Sequence, residues 1–173
     1  KMNYCIIIND FKSGGAQKAT VDLINCLLAK KIKLTVIVFE NIIHFDLPKG
    51  IDLEIIEKIE RKNGIFNKYF LASKLKKLWG KLNKDKRFDL TISRLQYTNE
   101  IVYIAKIPRP YFIIDNALSA ETDKLKKTNF KIISLDNYST GTKKNDIDHK
   151  NVKYINGENI NISKILKRYT NKI

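Results

Sequence analysis

The chain has 173 residues, of which 43% are hydrophobic, and it carries a net charge of +15 at pH 7. A chain of this length and composition can bury a core of its own, which disfavours disorder and favours one folded domain; no run reaches the roughly 18 uncharged apolar residues of a spanning helix. The charge favours anionic partners such as nucleic acid, phosphate-bearing substrates or acidic lipids, although a lysine-rich composition that only solvates the surface explains it too.

The chain begins with a strand, a glycine loop and a helix. Tyr4–Asn9 is an apolar run typical of a buried strand, and apolar residues at helical spacing predict a helix over Ala16–Lys30. Ser13, Gly14 and Gly15 lie between the two. Glycine lets a ligand approach the backbone closely, and a helix N-terminus presents unpaired N–H groups and the positive end of its dipole. We therefore expect an anion or a polar sugar to bind at this turn.

Strands and helices alternate along the rest of the chain. This alternation predicts a three-layer αβα, Rossmann-like domain with a doubly wound, mainly parallel sheet of about six to seven strands. The further predicted strands are Leu34–Phe39, Asp52–Ile56, Phe88–Ser93, Tyr111–Ile114, Phe130–Leu135 and Val152–Ile155, and the further predicted helices are Phe66–Leu82, a short one near Asn99–Ala105 and Ile162–Arg168.

Polar side chains follow several of these strands. In an open α/β sheet, ligands bind beyond the carboxyl ends of the strands, so these side chains are candidates for substrate binding. Their mixture of donors and acceptors suits the hydroxyl groups of a sugar, although exposed loops are polar for structural reasons as well. Besides the glycine turn, the candidates are Arg94 and Asn99 after the fourth strand and Asp115, Asn116 and Ser119 after the fifth.

Familiar cofactor and metal signatures are absent from the sequence. No G-x-G-x-x-G follows the first strand and no G-x-x-x-x-G-K-[ST] occurs, which disfavours dinucleotide enzymes and P-loop NTPases. His44 and His149 have no partners at metal-binding spacing, and Cys5 and Cys26 are expected to be buried free thiols. The sequence predicts neither a cofactor nor a metal site.

The segment Lys58–Arg87 is strongly basic, with eleven cations against two acidic residues, and carries apolar residues at helical spacing. A basic amphipathic helix with a tryptophan is typical of membrane-surface docking, in which each cation contributes about 1 kcal/mol near an anionic leaflet. The alternative is an ordinary crossover helix with its apolar face on the sheet and its lysines in water. Both interpretations hold if only the helix end or the Ile65–Tyr69 edge meets lipid. The candidates for lipid contact are Lys74, Lys77, Trp79 and Lys81.

Taken together, these segments resemble the N-terminal half of GT-B glycosyltransferases of the retaining group called glycosyltransferase family four. Ile6–Ala19 is similar to that family's first strand, its Gly-Gly-Ala-Glu-type loop and its first helix. Phe88–Arg94, followed by Asn99, resembles its D-x-x-x-S-x…N segment, and Tyr111–Ser119 resembles its H-N-x-x-S region. Two later segments resemble its "v-S" strand and its "v-I-x-N-G" segment, namely Lys131–Leu135 and Val152–Gly157.

The resemblance implies an acceptor-binding domain over residues 1–160, with residues 161–173 forming a terminal helix or the start of a linker to a second half. That half would bind the nucleotide-sugar, so this piece is expected to be inactive alone. The family's chemistry is retaining and metal-independent, and its acceptor is often a lipid-linked sugar or lipopolysaccharide core at the cytoplasmic face of the membrane. Asp115 stands where many relatives carry a histidine, and it is the candidate catalytic residue.

The main alternative is a basic, non-enzymatic α/β module that binds nucleic acid or an acidic membrane surface. Nucleic acid is disfavoured as a partner because no RNA- or DNA-reading motif is present. For the enzyme, bacterial lipopolysaccharide, capsule and lipid-linked oligosaccharide synthesis are the expected settings. The sequence leaves the donor sugar, the acceptor, the linkage and the oligomeric state open.

Overall fold

The computed structural model describes residues 2–56, 65–113, 132–136 and 152–156. A parallel five-stranded sheet lies at its centre, with the strand order β3-β2-β1-β4-β5. This confirms the α/β class and the doubly wound, parallel sheet. In chain order the elements are β1 (Asn3–Ile8), α1 (Gly15–Ala29), β2 (Lys33–Val38), β3 (Ile51–Ile55), α2 (Ile65–Lys86), β4 (Leu90–Arg94), α3 (Gln96–Ile104), β5 (Pro110–Ile113), β6 (Ile132–Asp136) and β7 (Val152–Asn156).

The sheet is covered by helices on both faces, which gives the three αβα layers. Strand β1 lies in the middle, and its side chains alternate between two cores because successive strand residues point to opposite faces. Tyr4, Ile6 and Ile8 pack in a core to which α1 contributes. Cys5 and Ile7 pack in a second core formed with α2 and α3. A strand buried on both sides explains why the first segment is apolar throughout rather than alternating with polar residues.

Two boundaries differ from the sequence-based expectation. Helix α2 continues to Lys86, four residues beyond its predicted end, and β4 begins at Leu90 rather than Phe88. The side-chain oxygen of Asn83 accepts the backbone N–H of Phe88 at 2.8 Å, and Arg87 takes a positive φ of 50° that ends the helix. The left-handed Arg87 and the Asn83 side chain thus end the helix just before the expected strand, whose first two residues form the connection to β4.

The last two strands do not extend the main sheet as expected. Strands β6 and β7 pair in parallel with each other and form a separate two-stranded sheet. The described residues therefore contain seven strands in two sheets instead of one continuous sheet. The predicted helix Ile162–Arg168, the segment 161–173 and the junction near residue 160 lie outside the described residues.

Burial of Cys5 predicts that the free energy of unfolding depends on pH. Its thiol is fully buried, and burial raises its pKa far above the usual value. The unfolded chain loses the thiol proton near pH 8.5 to 9 while the folded chain keeps it, so the free energy of unfolding falls as pH rises through that range, by about 1.4 kcal/mol per pH unit. Urea unfolding at pH 8 and pH 10 should show this loss, and Cys5→Ala should reduce it. An equal loss in the variant would contradict the assignment to Cys5.

Candidate functional site

The strand order places a crevice between β1 and β4. Strand β1 connects through α1 to β2 on one side of the sheet, whereas β4 connects through α3 to β5 on the other. In open α/β sheets, ligands bind at such a reversal of strand order, outside the carboxyl ends of the strands. The glycine turn follows β1 and Arg94 ends β4, so the structure brings both to this crevice.

A buried carboxylate holds the loop that leads to the glycine turn. Asp10 is 4% exposed, and its Oδ1 accepts the backbone N–H of Lys12 at 2.8 Å and the side-chain amide of Gln17 at 3.3 Å. Its Oδ2 accepts the side-chain amide of Asn9 at 2.5 Å. Because Gln17 lies in the first turn of α1, one carboxylate connects the end of β1 to the start of that helix.

The connection that follows β2 braces the same loop through the backbone. The carbonyl oxygen of Asn9 accepts the N–H groups of Phe39 and Glu40, each at 3.0 Å. Phe11 donates its N–H to Ile42 at 2.9 Å and accepts the N–H of His44 at 2.9 Å. These four bonds do not depend on side chains, and together with the Asp10 contacts they fix the base of the turn.

Charged side chains add a link across the two loops. The ammonium group of Lys12 lies 3.3 Å from Glu40 Oε2, and the amide of Asn9 donates to Glu40 Oε1 at 3.4 Å. Lys12 is exposed, so the ion pair itself stabilises the fold little. It places one carboxylate and one ammonium group beside the glycine turn, as a site for a polar ligand would require.

Gly15 opens α1 with free space around it. The helix N-cap is Gly14, and no side chain caps the helix. A Cβ atom built on Gly15 meets nothing within 4 Å, whereas one on Gly14 clashes with the amide group of Gln17. Gly14 has a φ of 173°, which is extended backbone, so the glycine serves to leave room for Gln17 rather than to reach an unusual conformation. The N–H groups of Gly15, Ala16 and Gln17 have no intrahelical partner, whereas that of Lys18 donates to the carbonyl oxygen of Gly14 at 3.0 Å.

The turn from β4 into α3 is strained. Leu95 has a φ of 75°, a left-handed conformation that non-glycine residues rarely adopt. Ser93 Oγ donates to Asn99 Oδ1 at 2.7 Å, and Asn99 Nδ2 donates to the carbonyl oxygen of Ile113 at 3.2 Å. Asn99 thus ties α3 to the ends of β4 and β5. Backbone strain of this kind clusters at functional sites.

The predicted site residues differ in their exposure to solvent, and three of them lie outside the described residues. Ser13, Gly14 and Gly15 are exposed at the turn. Arg94 and Asn99 lie at the same edge of the sheet but are buried, at 5% and 4% exposure. The hydrogen bonds of the Asn99 amide are internal, so contact between this residue and substrate stays a prediction. Asp115, Asn116 and Ser119 lie outside the described residues.

The structure corrects the role expected of Trp79. Its side chain is 9% exposed, packs in the core beneath α2 and donates its indole N–H to Thr91 Oγ1 at 3.1 Å. A buried indole cannot reach a membrane surface, so the interfacial interpretation of Trp79 is wrong. The apolar repeat of α2 covers the sheet, as the alternative interpretation expected.

The exposed face of α2 is basic and carries two aromatic rings. Lys77 and Lys81 are exposed, and Lys74 is half-buried with its ammonium group 4.9 Å from the ring centre of Phe70. Tyr69 and Phe70 are 57% and 44% exposed. No helix among the described residues combines the length and the apolar composition needed to cross a membrane.

Sequence reasoning missed two contributors to this site. Asp10 was not among the predicted site residues, although a carboxylate directly after a buried strand and before a helix is a recognisable signal for a loop anchor. The left-handed turn at Leu95 has no signal in the sequence, because neither glycine nor asparagine marks it.

Comparison with known proteins identifies a fold and no family. Neither protein-family models nor curated proteins give a match to the sequence. Among solved structures, the chain is similar to a glycosyltransferase from Rickettsia africae ESF-5, with a TM-score of 0.54 and 16% sequence identity. The similarity covers 97% of this chain and 49% of that chain, so this chain spans about half the length of the protein it matches. At this identity the similarity establishes the fold.

Proposed function

We propose that this chain is the acceptor-binding half of a nucleotide-sugar-dependent glycosyltransferase with a GT-B architecture. The observation that carries the proposal is the open Gly15 at the start of α1, located at the crevice between β1 and β4. The similarity to half of a glycosyltransferase chain supports it. The order of motifs that resembles glycosyltransferase family four supports the retaining, metal-independent class.

In this proposal the glycine turn contributes one wall of the active-site cleft. The N–H groups at the start of α1 and the positive end of its dipole would face the diphosphate of the donor and the reacting end of the acceptor. Asp10 and the backbone bonds beneath the loop hold these donors in place before a ligand arrives, which is how preorganised electrostatic stabilisation works. The second half of the enzyme would supply most donor contacts, and Asp115 would act in catalysis at the position of the family's histidine.

The experiment that tests the proposal titrates the isotope-labelled chain with uridine diphosphate and guanosine diphosphate and follows backbone amide signals. We expect weak binding with the largest changes at Gly14, Gly15 and the first turn of α1, and no nucleotide release from nucleotide-sugars by this chain alone. Changes confined to other regions would contradict the site. Robust turnover by the 173-residue chain would contradict the need for a second half.

We further propose a peripheral position at the cytoplasmic face of a bacterial membrane, where a lipid-linked acceptor for lipopolysaccharide, capsule or oligosaccharide synthesis would be presented. The support is the exposed basic face of α2, with Tyr69 and Phe70 at its N-terminal end. Aromatic rings suit the boundary between head groups and acyl chains, and lysines are attracted to anionic lipid.

A vesicle experiment tests this surface. Exchanging both Lys77 and Lys81 for glutamine should weaken binding to vesicles containing phosphatidylglycerol by about 30-fold, since each lysine contributes about 1 kcal/mol near such a surface. The matched control exchanges Lys18 on α1 and Lys30 at the C-cap of α1, across the sheet, for the same loss of charge. Equal losses in both double variants would show that total charge, and not the α2 face, determines binding.

The alternative function is a non-enzymatic basic module that binds nucleic acid. The positive charge of the chain is its only support. Oligonucleotide binding that falls steeply with salt, without any response to nucleoside diphosphates or acidic vesicles, would favour this alternative over the glycosyltransferase.

A further inference from the structure

A second concave surface lies at the carboxyl ends of β2 and β3, apart from the glycine turn. It is an open cleft of about 410 Å³ between the end of the edge strand β3 and the side of α2. This volume falls within the range of about 300–1,000 Å³ typical of small-molecule sites. The lining residues are Asn41, Ile55, Ile56, Lys74 and Leu78.

The lining combines one cation, one amide and apolar walls. Lys74 contributes an ammonium group, and none of the described residues that line the cleft is acidic. The contact with the Phe70 ring, at 4.9 Å, holds this ammonium group against the wall of α2. Asn41 is exposed and offers both a donor and an acceptor, whereas Ile55 is 37% exposed despite being apolar.

These groups match the chemistry of a negatively charged sugar. A compact ammonium group binds a phosphate as a point charge, and a carboxamide can pair with a hydroxyl group in either direction. The apolar side chains of Ile55 and Leu78 suit the C–H face of a sugar ring. Neutral sugars would leave Lys74 without an anionic partner, and inorganic phosphate would leave the apolar walls unused.

The cleft and the glycine turn share one edge of the sheet. Asn41 directly follows Glu40, whose carboxylate pairs with Lys12 of the loop before the glycine turn. The turn and the cleft therefore lie on neighbouring loops at the same edge of the sheet. We propose that the cleft binds a phosphorylated sugar unit of the acceptor, set back from the unit that reacts. This inference rests on the proposed glycosyltransferase function.

The test is an amide-signal titration of the 173-residue chain with four soluble probes: glucose 6-phosphate, glucose, inorganic phosphate and glycerophosphoglycerol. We expect glucose 6-phosphate to bind best and to shift the signals of Asn41, Ile55 and Leu78. Lys74→Gln should weaken its binding by about three- to tenfold, as expected for loss of a charged hydrogen bond in a partly exposed site. Lys76→Gln, an equal charge change at an exposed position of α2 that points away from Lys74, should leave the affinity unchanged.

Several outcomes would overturn the inference. Equal weakening by Lys74→Gln and Lys76→Gln would show that binding follows net charge. Equal binding of inorganic phosphate would exclude recognition of the sugar, and equal binding of glycerophosphoglycerol would identify a lipid head group as the source of the phosphate. If glucose 6-phosphate shifts only Gly14 and Gly15, the cleft proposal fails while the proposed function stands. If nucleoside diphosphates leave the glycine turn unaffected but glucose 6-phosphate still occupies the cleft, the proposed function fails and the sugar site remains.

Discussion

Trp79→Ala is expected to lower the free energy of unfolding by about 3–5 kcal/mol, the usual cost of truncating a large buried aromatic side chain. The indole is 9% exposed, its ring centre lies 6.1 Å from that of Phe88, and its N–H is bonded to Thr91. Removing it leaves a cavity under α2 and a hydroxyl group without this donor. Urea denaturation followed by circular dichroism measures the loss.

Two further variants serve as controls for the urea denaturation of Trp79→Ala. Trp79→Phe keeps an aromatic ring but removes the indole N–H, so it should cost less than the alanine variant. Phe70→Ala, on the same helix but 44% exposed, should cost less than about 1 kcal/mol. A small loss in Trp79→Ala would mean that the indole is not part of the core. The result also bears on the vesicle experiment, because impaired vesicle binding by Trp79→Ala would reflect unfolding rather than a lost lipid contact.

Gly15→Val is expected to abolish function while leaving the fold intact. Because a Cβ at Gly15 meets nothing within 4 Å, the free energy of unfolding should change by less than about 0.5 kcal/mol. The added side chain would instead fill the space in which the proposed ligand approaches the start of α1. Nucleoside diphosphate binding should then be lost, and transfer by a protein containing both halves should fall by about 100-fold, as displaced substrates typically show.

Gly80→Val is the matched control for this variant. A Cβ at Gly80, within α2, also meets nothing within 4 Å, but this glycine is remote from the carboxyl edge of the sheet. Its substitution should preserve both stability and ligand binding. Wild-type binding by Gly15→Val would remove the glycine turn from the site, whereas unfolding of Gly15→Val would show that the turn has a structural role.

The sequence predicted the sheet well because β1 and β2 are apolar on both faces, a pattern that only a covered parallel strand produces. The prediction was less successful where one hydrophobic periodicity is compatible with two kinds of helix. The apolar repeat that includes Trp79 fits a core helix and a membrane-surface helix equally, and only the tertiary contact with Thr91 distinguishes them. The start of α3 was expected near Asn99 rather than at Gln96, because no residue type in the sequence marks the positive φ of Leu95 that precedes the helix.

The site was predicted only in part, because a sequence shows local features but not the contacts between distant segments. Gly14 and Gly15 stand out locally, so the turn could be located from the sequence. The cleft at Lys74 could not, because it joins Asn41 and Ile55 to a helix that begins ten residues after Ile55. Whether the cavity faces solvent or the core depends on the packing of α2, which no local pattern specifies.

The backbone hydrogen bonds that hold the glycine loop limit insertions and deletions in this region among related proteins. The main-chain atoms of Asn9 and Phe11 hold the backbone of Phe39, Glu40, Ile42 and His44. The number of residues in segment 40–44 is therefore constrained, since an insertion would move the donors away from their acceptors. Related proteins that share this site should have a segment of constant length here, and a length change should coincide with loss of the turn.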